Sequence, residues 1–242
     1  MEIKPVAYYR GQLGSKFGIP RQSGVVDGLR GEIVFEPAFR SPDALRGLEG
    51  FSRIWLIWGF STSMLSRGIE DAERISSGPL TVRPPRLGGN ERVGVFASRS
   101  PFRPNSLGLS CVTLEAITEG PVLHVRGADL MDGTPIYDIK PYVPYADAFP
   151  DARPGFAPAA PAPVLEVVEG PEWHSPFSPE DTATLKALLA LDPRPAFHDD
   201  PSRVYGLPFA GYDIRFRVEE RRLVLLEAVD SGTDLAFVRG NH

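Results

Sequence analysis

The chain has 242 residues, 42% of them hydrophobic and 24% charged, with a formal net charge of −5; that is room for one large domain and a small one, with an overall acidity that argues against a protein that coats nucleic acid. Cys111 is the only cysteine, which excludes an intrachain disulfide, and the longest strongly apolar run, IWLIWGF at 54–60, is far short of a membrane span. With no basic-then-apolar leader at the N-terminus, the expectation is a cytoplasmic enzyme or binding protein.

In chain order, the first two thirds read as β structure. KPVAYYR (4–10), GEIVFE (31–36), FSRIWLIWGF (51–60), RVGVFASR (92–99), LSCVTLEAI (109–117) and VLHVRGAD (122–129) are rich in branched and aromatic residues and are bounded by Gly and Pro clusters. Regularly spaced strands without helical periods between them predict a barrel or sandwich rather than a doubly wound parallel sheet. One compact helix is predicted in SPDALRGLEG (41–50), with Ser41 as N-cap, Pro42 in the first turn and Gly50 ending it. From Pro150 the composition shifts to PDARPGFAPAAPAP, a semi-extended linker. Beyond it, SPEDTATLKALLALDPR predicts a helix capped by Ser178 with Leu185, Leu188 and Leu189 on one face. GYDIRFRVEE and LVLLEAVD then predict a hairpin that covers it. The fold class is therefore mainly β: a barrel domain over 1–149, a Pro/Ala-rich linker over 150–165, and a small α+β domain over 166–242.

Two dense polar stretches stand out. RSPFRPNSLGL (99–109) is stiff and cationic: Pro101 and Pro104 fix φ, and Asn105 and Gly108 suit turns. Between Arg83 and Arg103, five arginines face Glu91 alone, a patch adequate to grip one short piece of RNA. The second stretch, ADLMDGTPIYDIKPYVPYADAFPDA (128–152), forms a tight turn and then brings Asp138, Lys140, Tyr142, Tyr145 and Asp147 close together between prolines. Alternation there predicts Tyr137 and Ile139 inward, with Asp138 and Lys140 on the polar face. Other chemistries find little support. His124, His174, His198 and His242 are scattered, so no metal site is expected, and neither a nucleophile elbow nor a phosphate-loop spacing occurs.

KFGIPRQSG (16–24), LRGLEGFSRIWLIWGF (45–60), VRPPRLGGNERVGVFASRSPFRPNSLGLS (82–110) and DLMDGTPIYDIKPYVPYADAFPDA (129–152) closely resemble the TsaA/YaeB-like (TrmO-type) tRNA methyltransferases. LDPRPAF, VYGL and GYDIRFRV resemble the C-terminal module of that family. The resemblance implies a non-Rossmann β-barrel that uses S-adenosyl-L-methionine to methylate N6 of threonylcarbamoyladenosine beside the anticodon. It also implies a homodimer and a tRNA anticodon stem-loop as partner, with no membrane and no metal.

Residue by residue, the family pattern implies a cofactor site built from Pro20, Arg21 and Gln22, from Arg99, Asn105 and Leu109, and from the turn of Asp129, Leu130, Asp132, Gly133 and Thr134. Ser61 and Thr62 stand where a His-Gln cofactor contact is common, Ser106 stands where a second proline is common, and SMLSRGIEDAERISSGPL (63–80) is longer than usual. Asp138 is the candidate to accept the proton of the acceptor nitrogen, with Asp132 the second choice; Lys140 and Tyr142 act beside it. Arg86, Arg103, Tyr145, Arg215 and Arg217 are the candidate RNA contacts. Two rival readings are a non-catalytic module that binds S-adenosylmethionine or RNA, and a methyltransferase with another acceptor.

Overall fold

The computed structural model describes residues 3–60, 80–194 and 200–232. Six strands form a closed barrel: β1 (Ala7–Gly11), β2 (Arg30–Phe35), β3 (Arg53–Gly59), β6 (Leu107–Thr118), β7 (Val122–Arg126) and β8 (Pro135–Pro141). They run in the order β1-β2-β7-β6-β3-β8, with β8 closing on β1 and every pairing antiparallel. Two short strands between β3 and β6, β4 (Thr81–Val82) and β5 (Val93–Gly94), pair only with each other. Alternation explains the barrel core, since Ile54, Leu56, Ile33, Leu123, Val125 and Ile136 all point inward and are almost completely buried.

Tyr9 fills the barrel interior in a way only glycine permits. Gly11 and Gly31 are cross-strand partners, and a Cβ at either would stand 2.2–2.4 Å from the Tyr9 ring. The missing side chains form the slot that receives the ring.

A second sheet, in the order β10-β11-β12-β9, contains β9 (Glu166–Glu169), β10 (Tyr205–Phe209), β11 (Tyr212–Glu219) and β12 (Arg222–Asp230). The helix Pro179–Leu189 packs on it. Its N-cap, Ser178, accepts a hydrogen bond from the Asp181 amide at 3.1 Å, and Leu185, Leu188 and Leu189 are buried against Ile214, Phe216 and Val218 as the alternation predicts. Residues 151–164 hold no helix or strand and are mostly exposed.

The second core is not built from its own stretch of chain alone. Between β1 and β2 the chain leaves the barrel, and Leu13, Val26 and Leu29 join Leu207, Phe209 and the helix leucines in one buried cluster. Leu13 bridges Phe209, and the Ala210 amide donates to the Gln12 carbonyl at 2.8 Å. At this junction Asp181 is buried; it accepts from Gln12 Nε2 at 2.8 Å and from Arg30 Nη2 at 2.6 Å. The Gln12 Oε1 in turn accepts the Arg30 amide at 2.8 Å.

Three local expectations are corrected. RVGVFASR does not form a strand through residue 99: β5 stops at Gly94, a 3-10 turn follows over Val95–Ala97, and only Val95 is buried while Phe96 is exposed. The alternation needed for a strand face is absent. The single helix of 41–50 is two pieces, α1 (Pro42–Leu45) and a 3-10 turn over Leu48–Gly50. Gly47 at φ +91° separates them, and Ser41 makes no side-chain cap. Tyr137 does not enter the core. A bulge leaves it without a partner between Ile57↔Asp138 and Trp58↔Ile136, and its ring lies against Gly59, where a Cβ would stand 2.6 Å away. Ile139 does pack on the core, while Asp138 and Lys140 are exposed.

Candidate functional site

Three segments far apart in sequence converge at one end of the barrel. The Pro20–Gln22 segment lies on the excursion between β1 and β2, with Pro20 buried, Arg21 exposed and Gln22 half-buried. The Arg99 guanidinium donates from Nη1 to Gln22 Oε1. Its charge also acts on Asp129, which follows β7 and is further held by the Ser23 amide. Burial pushes the Asp129 carboxyl above the usual carboxylate range. The Ser110 hydroxyl, the main-chain amides and the Arg99 charge pull it partly back.

The turn after Asp129 is fixed to β1 by main-chain geometry. Asp132 Oδ1 accepts the Gly11 amide at 3.1 Å, the Asp132 amide donates to the Leu13 carbonyl at 2.8 Å, and the Gly133 amide donates to the Tyr9 carbonyl at 2.8 Å. Arg10 approaches Asp132 Oδ2 at 3.6 Å. Gly133 has φ +78°, a conformation that favours glycine, and the buried Thr134 hydroxyl closes the turn on the Met131 carbonyl at 2.7 Å. Leu130 is a core residue, so what it offers a ligand is its backbone. Burial, and then the charges of Asp132 and Asp129, push the Tyr9 phenol above its ordinary range, so it stays protonated beneath this turn.

The other wall is the turn of RSPFRPNSLGL. Arg103 Nη1 donates to the Ser98 carbonyl at 3.0 Å and its main-chain amide donates to the Pro101 carbonyl at 2.8 Å, so this arginine braces its own loop. Asn105 is exposed at the tip. Ser106 has φ +48°, which a proline ring forbids, so the departure at this position changes the turn itself rather than only loosening it. Leu109 is exposed on the outer face, in a cross-strand row with Ile57 and Asp138.

A half-buried carboxylate, a guanidinium and main-chain groups from a glycine turn form a donor and acceptor set suited to S-adenosylmethionine, which presents a carboxylate, an ammonium, ribose hydroxyls and an adenine edge. Gln22, Arg99 and Asp129 are brought together. Asp138 is not among them; it lies on the outer wall of β8, half exposed, 3.3 Å from the Lys140 ammonium. Ser61 and Thr62, and the long stretch after them up to residue 79, lie outside the described residues.

Family models match both parts of the chain. The tRNA-methyltransferase O N-terminal domain covers residues 8–148, and the TrmO C-terminal domain covers residues 173–231. The chain belongs to the TrmO family. It is 36% identical over 230 residues to the tRNA (adenine(37)-N6)-methyltransferase of Escherichia coli, covering 90% of this chain and 94% of that protein. A putative S-adenosylmethionine-dependent methyltransferase of Pseudomonas aeruginosa is 40% identical over 242 residues, covering 95% and 98%. A crystal structure of TrmO from Pseudomonas aeruginosa superposes with a TM-score of 0.71 at 30% identity, over 95% of this chain and 98% of that one.

Within this TrmO-family fold, the candidate RNA contacts other than Arg103, which braces its own loop, fall into two groups. Arg86 and Tyr145 are exposed; Tyr145, in the one-turn helix Pro144–Asp147, is 91% accessible. Beside it, Trp55 meets Tyr142 at 5.8 Å and donates from Nε1 to Asp147 Oδ2 at 3.0 Å. The Val143 amide and this indole hold the Asp147 carboxyl below its usual range. Arg215 and Arg217 project from β11 and are already paired, Arg215 with Glu227 at 3.1 Å and Arg217 with Glu219 at 2.9 Å. Sequence reasoning missed Ser110 and Trp58, which stand behind Asp129. A hydroxyl on the inward-facing register of β6 was the available signal.

Proposed function

We propose that this TrmO-family chain transfers a methyl group from S-adenosyl-L-methionine to N6 of adenine 37 in tRNA, with the threonylcarbamoylated base as the form methylated. The observation that carries this reading is the meeting of Gln22, Arg99 and Asp129. The relatives named tRNA (adenine(37)-N6)-methyltransferase supply the reaction.

Pro20, Arg21, Gln22, Arg99, Asn105, Leu109 and the Asp129–Thr134 turn are the proposed cofactor wall. The cofactor supplies an activated methyl on sulfonium, a strong electrophile. What the chain must add is alignment, which can supply several kcal/mol of the barrier on its own, about 7–11 in the best oriented systems. The clamp of Asp132 on Gly11 and of Arg103 on its own loop preorganises both walls before a ligand arrives. The acceptor nitrogen forms its bond to the methyl carbon as the carbon–sulfur bond breaks, and its proton is then released. Asp138 is the proposed acceptor of that proton, with the Lys140 ammonium 3.3 Å from its carboxylate and Tyr142 beside the acceptor base.

Arg86, Arg103, Tyr145, Arg215 and Arg217 are the proposed contacts to the anticodon stem-loop; exposed surface pairs such as those of Arg215 and Arg217 are weak enough to exchange a carboxylate for a phosphate. A homodimer in the cytoplasm completes the proposal, with the exposed Leu109 and Phe102 beside the cleft as apolar surface for a second copy. The domain division is 1–149, 150–165 and 166–242. Mass spectrometry of tRNA nucleosides from a deletion strain tests the whole: the methylated threonylcarbamoyl nucleoside disappears and returns with the wild-type gene. Its persistence without the gene overturns the reading.

A further inference from the structure

Ser110 is almost completely buried on the inward register of β6, between Gly108 and Val112. A hydroxyl at such a position is costly unless its donor and acceptor are both used. Here both are. It accepts from Trp58 Nε1 at 2.9 Å and donates to Asp129 Oδ1 at 2.5 Å. The indole is itself held in place: a Cβ at its cross-strand partner Gly108 would stand 2.3 Å from the ring, and Phe60 meets it edge-on at 4.4 Å. The series Gly108, Trp58, Ser110, Asp129 therefore runs from two barrel strands, β3 and β6, to the cleft, each member fixing the next.

We infer that Ser110 and Trp58 are positioning residues for methyl transfer, a relay that pins one oxygen of Asp129 so that its remaining acceptor capacity meets an O–H or N–H of the cofactor. This rests on the reading of the cleft as the S-adenosylmethionine site. Ionised carboxylates accept at about four lone-pair sites, and Ser110 with the Ser23 amide occupies only part of them. Ser110 donates to Asp129 because an ionised carboxylate can only accept, while the Trp58 indole, which can only donate, takes one of the two lone pairs of the hydroxyl. The direction of the relay is thus fixed by chemistry. Removing the hydroxyl frees the carboxylate to rotate and leaves the indole N–H without its partner.

The test is calorimetry of the full-length protein with S-adenosylmethionine and with S-adenosylhomocysteine, which lacks the sulfonium charge, alongside steady-state methylation of tRNA. Ser110→Ala is expected to raise Kd for both ligands, and KM for the donor, about tenfold, which corresponds to about 1.4 kcal/mol, while kcat at saturating donor changes less than about twofold. Ser110→Thr, which keeps the hydroxyl, restores affinity to within about threefold. Trp58→Phe, which removes only the N–H end, weakens binding in the same direction by about threefold and serves if Ser110→Ala fails to fold. Normal affinity in Trp58→Phe or in folded Ser110→Ala, with Asp129→Asn defective, overturns the relay and spares the site. Normal affinity in Asp129→Asn overturns the reading of the site. A loss confined to S-adenosylmethionine, with S-adenosylhomocysteine unaffected, refutes the hydrogen-bonding role and assigns Asp129 to the sulfonium charge.

Discussion

The barrel core and the second core are both built on β-sheet and buried aliphatic side chains, yet they recruit their residues differently. The barrel satisfies its hydrogen bonds by closing β8 on β1. The second core borrows Leu13, Val26 and Leu29 from the excursion that also carries Pro20–Gln22. One wall of the proposed cofactor cleft therefore rests on a core built largely from residues far away in sequence, as the bond between Gln12 and Asp181, 169 positions apart, shows. The difference teaches that damage to the second core reaches the cleft wall that rests on it, whereas loss of a barrel-core leucine away from the Trp58–Ser110 pair acts first on stability.

The strongest test of that contrast is a pair of truncations. Leu13→Ala and Leu56→Ala each remove a fully buried leucine and are expected to cost about 3 kcal/mol. Chemical denaturation should show similar losses, but only Leu13→Ala should also weaken S-adenosylmethionine binding, by severalfold or more, under conditions where both proteins are folded. Equal affinity in the two variants would break the contrast.

Asp181→Ala is expected to cost about 2 kcal/mol in a urea titration, because it strands the Gln12 amide and Arg30 at the junction. The value is reduced from that of a fully buried pair because the Arg30 side chain is 43% exposed. Hydrogen exchange should rise in the excursion between β1 and β2 more than in β3 or β6.

Two carboxylates sharpen the comparison by pH. Asp129 has a folded-state pKa raised by burial, so its charged form opposes folding and that opposition is relieved as pH falls through the raised value. If the carboxylate holds the donor as proposed, donor affinity should fall in the same window, beginning above the 3.8 of an ordinary aspartate. Asp147 has a lowered value, so its contribution is present above the ordinary range and is lost as pH falls through the lowered one. Calorimetric titration against pH should show affinity declining before stability does.

The smallest expected effect on stability is that of Arg217→Ala, under about 0.5 kcal/mol, since its pair with Glu219 is exposed. Its effect should appear instead in RNA affinity, with the slope of log affinity against log salt reduced by about one. An unchanged slope removes Arg217 from the RNA surface.

Strand and helix positions set by local pattern were legible: the alternation of β11, the capped helix at Ser178 and the branched runs of β1, β2 and β3 can be read from neighbours in sequence. Features set by distant partners were not. In the excursion, Leu13, Val26 and Leu29 have no period of their own and find their partners only across the fold. The bulge at Tyr137 breaks an alternation that is regular in the sequence, and β9 carries no local signal because its pairing is parallel and nonlocal. For the cleft, the motifs nominated Gln22, Arg99 and Asp129, but the hydroxyl and indole behind Asp129 belong to strands read only as core.

The barrel has no free edge, but the second sheet has two. At β10 the Leu13 bridge reaches Phe209, and the Ala210 amide just beyond is taken by Gln12. At β9 the exposed strand is only four residues long, carries Glu166 and Glu169 at its ends, and stops at Gly170, whose amide turns back to the Leu225 carbonyl. Short, acidic and abruptly ended, it is a poor template for a strand from a neighbouring molecule.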